Sequence, residues 1–128
     1  MVIDTPVLIA IMRREDEAQA FLRMIADASP VSLSAASYFE ACMVIAGSKD
    51  DGALQRLDVL IETSDIEIQP VTREDAELAR DAFLRFGKGR HPAGLNFGDC
   101  FSYALAKRLN EPLLFKGDDF SKTDVQPT

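Results

Sequence analysis

The sequence has one histidine, two cysteines and no long hydrophobic run. It is also short of positive charge: 14 lysines and arginines stand against 21 aspartates and glutamates, for a net charge of −7. Each shortage removes a class of function. His91 alone cannot build a zinc site from several histidines. Cys42 and Cys100 fall inside apolar helical patterns, where reduced, buried thiols are expected rather than a disulfide framework. The longest uncharged stretch near the start, Thr5 to Met12, is far below the ~20 residues of a membrane span. No basic segment precedes it as in a secretory signal, so a cytoplasmic protein is expected. The acidic balance argues against a protein that coats duplex nucleic acid by bulk electrostatics. It leaves room for a metal-dependent nuclease, which needs clustered carboxylates for the metal and only a small local patch for phosphates.

Apolar residues make up 47% of the chain and charged residues 27%, which with no repeat or low-complexity tract predicts one compact globular domain over residues 1–128. Residues 1–4 read as a short strand ending in an acid, with Thr5 as a helix cap and Pro6 as the first residue of a helix to about residue 13. A second helix over about 15–28 carries Ala18, Phe21, Leu22 and Ile25 at three-to-four spacing. Residues 31–33 read as a strand, and Ser34 caps a long apolar helix, Ala35–Ala46. A helix containing Leu54, Leu57, Leu60 and Ile61 leads to an alternating strand, Ile66–Gln69, and Thr72 starts a helix through Phe83 and Phe86. Three glycines and a proline make residues 87–94 a loop that delivers the chain to a helix start at Asn96. Residues 113–115 read as a buried strand and 123–125 as a final edge strand. The alternation predicts an α/β fold with a mostly parallel sheet and helices on both faces.

In open α/β sheets, functional sites collect beyond the carboxyl ends of the strands. Asp4 lies there, as do Asp118 and Asp119, although each also reads as an ordinary loop or turn acid. Glu40 stands in YFEACMVIA with Ala36, Ser37, Met43 and Val44 at helical spacing and no basic neighbour. Burying such a carboxylate is costly unless it is protonated, paired with a distant arginine or bound to a metal, so a functional Glu40 is expected. Asp99, in NFGDCFSYAL, sits in the first turn of a helix, where the Asn96 cap and the helix dipole already give it a structural role. If Asp4, Glu40, Asp99 and one of Asp118 or Asp119 converge, their repulsion is relieved by a divalent cation. An all-oxygen set suits Mg²⁺ or Mn²⁺ rather than zinc, and such ions serve phosphoryl chemistry by orienting and acidifying a water. Lys88, Arg90 and His91, just upstream of Asp99, are placed to hold a nucleic-acid backbone, the alternative being a solvated basic loop.

The pieces VIDT, SYFEA, GKGRHPAGLNFGDCFSYALAK and PLLFKGDDFSKTDV follow one another over essentially the whole chain. Together they resemble the PIN-domain family, and more closely the VapC-type toxins of bacterial toxin-antitoxin pairs. The resemblance implies a three-layer α/β/α domain that cuts RNA with Mg²⁺ or Mn²⁺, acts as a homodimer, and is neutralised by a VapB-type antitoxin that occupies the site. It implies Asp4, Glu40 and Asp99 as the acidic centre, Asp119 or Asp118 as the fourth member, and a supporting hydroxyl from Thr5. One departure is Pro6, where the family often has a small hydroxyl residue; proline suits a helix start but removes one hydrogen bond from the metal's water shell. The chemistry implied is in-line attack of water on an RNA phosphodiester, leaving 5′-phosphate and 3′-hydroxyl ends. Two rivals are a receiver-like signalling domain, with Lys116 as its lysine, and a catalytically inactive PIN-like module that binds RNA or protein, for which Pro6 alone speaks.

Overall fold

Four short apolar runs alternate with helices, and in the computed structural model, which describes residues 1–128, they pair into one sheet. The strands β1 (Val2–Ile3), β2 (Val31–Ser34), β3 (Ile66–Gln69) and β4 (Leu113–Leu114) lie in the order β3-β2-β1-β4. All three pairings are parallel, with Val2 opposite both Ser32 and Leu113. The helices α1 (Thr5–Met12), α2 (Ala18–Asp27), α3 (Ala35–Ala46), α4 (Ala53–Thr63), α5 (Arg73–Phe86) and α6 (Phe97–Leu109) fill the connections, and a 3-10 turn, Asp119–Lys122, follows β4.

Side chains alternate across a strand, and the central strands use both faces. Ile3 and Leu114 pack into a core with α1 to α4, whereas Val2 and Leu113 pack into a second core with α5 and α6. The result is the α/β/α layering expected from the sequence. No helix is long and apolar enough to cross a membrane. The chain runs from β1 to β2 to β3 in one direction across the sheet and returns to place β4 on the other side of β1. The order therefore reverses between β1 and β4, the place where open sheets hold their ligands.

Three local expectations are corrected. Residues 123–125 form no strand: the Thr123 hydroxyl donates to the Phe120 carbonyl at 2.7 Å, and only Pro127 bridges Leu113, where the missing proline N–H ends the ladder. The cap of α1 is Asp4 rather than Thr5, and Pro6 is its second helical residue. The Asp4 carboxylate makes no capping bond, because Ser102 holds it. The helix after it begins at Ala18 rather than near 15, because Glu15 and Glu17 are drawn to Lys116. Both cysteines are free thiols, as expected: Cys100 is buried, its thiol pushed up to about 11 by burial and then by Asp99, and Cys42 is half-buried.

Candidate active site

Asp4 follows β1 at the switch point, its backbone N–H bonded to the Leu114 carbonyl of β4 at 3.0 Å. The Asp4 side chain is buried there, only 2% exposed. Ser102 Oγ donates to Asp4 Oδ1 at 2.6 Å, and Ser37 Oγ lies 3.1 Å from Ser102 Oγ. Since Ser102 spends its proton on the carboxylate, Ser37 is the donor in the second bond. Thr5 Oγ1 in turn donates to the Ser37 carbonyl at 3.1 Å, tying the start of α1 to α3. Every fully buried side-chain nitrogen or oxygen has a hydrogen-bond partner.

Burial pushes the Asp4 carboxyl up to about 7; the Ser102 bond opposes the shift, and the charges of Asp99 and Glu40 add to it. Asp99 is raised as well, first by burial and then by Glu40 and Asp119, while its bond to the Asn96 N–H works the other way. These mutual effects place Asp4, Glu40, Asp99 and Asp119 in one electrostatic neighbourhood. Of the adjacent pair left open by the sequence, Asp119 is the one that acts on Asp99; both Asp118 and Asp119 are exposed.

Asp99 fills the structural role expected of it. Its backbone N–H bonds Asn96 Oδ1 at 2.9 Å, and its Oδ2 accepts the Asn96 N–H at 3.0 Å, a complete capping box. Only Oδ2 is used there, so Oδ1 remains available to the cleft. Glu40 is half-buried rather than enclosed, with Met43 and Val44 exposed beside it. Its carboxylate lies against Gly98 of α6: a methyl group at Gly98 would stand 2.7 Å from Glu40 Oε1.

A cleft of about 370 Å³ opens beside these groups, lined by Thr5, Pro6 and Ile9 of α1, Glu40 and Val44 of α3, Asn96 and Asp99 at the start of α6, and Arg13, Glu15 and Lys116. Lys88, Arg90 and His91 do not line it. Arg90 packs over the Phe83 ring at 5.3 Å, and His91 stands edge-on to Phe86 with Nδ1 accepting the Ala93 N–H at 3.0 Å. Sequence reasoning passed over Ser37 and Ser102, although a common spacing marks them: each is a hydroxyl three residues from an acid in an otherwise apolar helix. As placed, no three His, Cys, Asp or Glu side chains are gathered to hold a metal ion. The donors are nonetheless all oxygen and mutually repelling, which fits a hard divalent cation and no soft one.

A family model described as PIN domain matches residues 1–126 of the chain. Ribonuclease VapC28 of Mycobacterium tuberculosis is 50% identical over 127 residues, covering 98% of this chain and 96% of its own. Ribonuclease VapC of Mycolicibacterium smegmatis is 45% identical over 125 residues, covering 98% of this chain and 97% of its own. Among solved structures, the crystal structure of Mycobacterium tuberculosis VapC20, a sarcin-ricin loop cleaving toxin, matches with a TM-score of 0.79 over 99% of this chain and 97% of that one. At 16% identity that match speaks for the fold alone.

Proposed function

Because the chain belongs to the PIN-domain family and, within it, to the VapC ribonuclease toxins, we propose that the cleft at the β1/β4 switch point is the centre of a Mg²⁺- or Mn²⁺-dependent endoribonuclease. The observation that carries this reading is Asp4, a buried carboxyl pushed up to about 7 behind a cleft whose lining includes Glu40 and Asp99. A protein keeps such an arrangement at a cost in stability, and cation binding is the use that offsets it.

Asp4, Glu40 and Asp99 would hold the cation, with Asp119 as the fourth acid. A bound divalent ion supplies positive charge to the phosphodiester and makes a water acidic enough to attack near neutral pH. With Oδ2 in the capping box, Asp99 would offer Oδ1 to the cation, and the attacking water would give its proton to solvent. The water oxygen forms a bond to phosphorus, the bond from phosphorus to the 3′ oxygen breaks, and that oxygen takes a proton from solvent. Ser102, with Ser37 behind it, holds Asp4 in one rotamer, and the Thr5 hydroxyl fixes α1 against α3. Lys88, Arg90 and His91, outside the cleft, are read as contacts to the RNA backbone farther along the strand. The same membership supports a VapB-type antitoxin as inhibitor and a homodimer as the working form, for which exposed Phe39, Met43 and Val59 supply unpartnered apolar surface.

The test is cleavage of a total RNA pool by antitoxin-free protein with Mg²⁺ or Mn²⁺, with Asp99→Asn prepared in parallel. Metal-dependent cleavage that the folded variant has lost, with 5′-phosphate ends, is the expected result. A cyclic 2′,3′-phosphate product would overturn water as the nucleophile, and equal cleavage by both proteins would remove Asp99 from the chemistry. One observation favours a second reading, an inactive RNA- or protein-binding module: Pro6 lines the cleft where it can donate no hydrogen bond. RNA that is bound but never cut in either metal selects that reading.

A further inference from the structure

A cleft that cuts RNA must grip the strand as well as attack it, and this one is lined by acids in a chain of net charge −7. Two cations share it with them. Arg13 follows the last turn of α1 and continues the face of Pro6 and Ile9, at spacings of three and four, along the cleft wall. At the helical rise per residue it stands roughly 12 Å along the axis from Thr5, beside the acids but not among them.

The helix stops there because Arg14 takes a left-handed conformation, φ 54°, and the Glu15 N–H returns to the Ala10 carbonyl at 2.9 Å. The reversal has two effects. It leaves exposed Arg13 on the cleft without an ion pair, and it carries Glu15 to Lys116, whose ammonium pairs with Glu15 and, at 3.6 Å, with Glu17. Lys116 follows β4, so the ion pair ties the turn after α1 to the strand end beside the active site. Arg56, Arg73, Arg85 and Arg108, in contrast, are each paired with an acid away from the cleft.

The geometry points to Arg13 and Lys116 as a phosphate-binding subsite for the RNA strand next to the acidic centre, with Glu15 competing against the phosphate for Lys116. Arg13 presents a planar fork that suits a phosphate, and Lys116 a point charge that the incoming phosphate must take from Glu15. The subsite rests on the ribonuclease reading of the cleft.

Binding of a labelled, mixed-sequence single-stranded oligoribonucleotide, followed by fluorescence anisotropy over a series of salt concentrations, tests it in an Asp99→Asn background with Mg²⁺ present. Arg13→Ala is expected to weaken binding about tenfold, the loss of one charge-assisted contact. It should also flatten the slope of log K against log salt by ~0.7, the value for one phosphate on a single strand. Arg13→Lys should keep the slope. Glu15→Gln should tighten binding several-fold, and Lys116→Ala added to it should abolish the gain. Unchanged affinity and slope in Arg13→Ala, or weaker binding in Glu15→Gln, overturns the subsite. Cleavage by the protein with Asp99 intact separates the two readings: if it cuts RNA while Arg13→Ala binds and cuts as well, the subsite alone fails. If it neither binds nor cuts, the ribonuclease reading fails with it.

Discussion

Burial of Asp4 between the end of β1 and α6, with Asp99 and Glu40 close by, holds its carboxyl near 7 instead of the usual 3.8. The folded state therefore keeps a proton that the unfolded chain gives up. The stability tied to this group is fully present below 3.8 and is lost as the pH rises through about 7. Asp4→Asn removes the charge but keeps an oxygen to accept the Ser102 hydrogen bond. The variant is expected to be inactive on RNA yet, without metal at pH 8, more stable than the native protein, by at most about 4 kcal/mol for a shift of this size. Chemical denaturation at pH 8 and pH 5 checks this: the gain should shrink at the lower pH, where the native carboxyl is already neutral. A variant less stable at pH 8 would show that the ionised carboxylate is better solvated than its burial implies.

Helix α6 carries the site at its first turn, and its start was written in the sequence: Asn96 caps it and Asp99 completes the box. The strand-helix alternation was equally readable, because apolar runs and cap residues are local signals. The failures were cases of tertiary competition. Asp4 was expected in the acidic centre and Thr5 as the cap of α1, but the cap is Asp4, and a serine 98 residues away holds its carboxylate. Arg13 was passed over, and Lys116 was weighed only as a signalling-domain lysine, because nothing beside them in sequence marks what the sheet order brings near. For Ser37 and Ser102 the three-residue spacing to Glu40 and Asp99 was the one local sign. Gly98 is the element's least obvious device, since its missing side chain is what lets Glu40 lie against the helix. In Gly98→Ala the added methyl meets a flexible carboxylate, so Glu40 swings away while the backbone stays. Alanine is the better helix former by about 1 kcal/mol, so the melting temperature should hold or rise. Cleavage should nevertheless fall at least tenfold, with a higher metal requirement, on an order of magnitude set by losing one charged contact. Native-like cleavage by Gly98→Ala would remove Glu40 from the centre.

Across the whole molecule, the excess of acids is compatible with folding because most of it is spread over an exposed surface, whereas the charges at the β1/β4 switch point are concentrated and partly buried. The metal-free protein therefore works against its own site, and more so as the pH rises, because both Asp4 and Asp99 are raised and ionise later than free carboxyls. A divalent cation competes with the proton for the same oxygens. Below about 7 a proton already neutralises Asp4 and the cation gains less there; above it the cation replaces a lost stabilisation. Binding to the folded state alone stabilises by mass action, about 2.7 kcal/mol at a hundredfold excess over the dissociation constant. The rise in melting temperature on adding Mg²⁺ or Mn²⁺ should therefore be larger at pH 8 than at pH 5.5, be reversed by a chelator, and be much reduced in Asp4→Asn. Thermal melts of both proteins at the two pH values measure it. A metal shift of equal size at both would mean that the cation binds away from Asp4, on exposed acids whose ionisation does not change over that range.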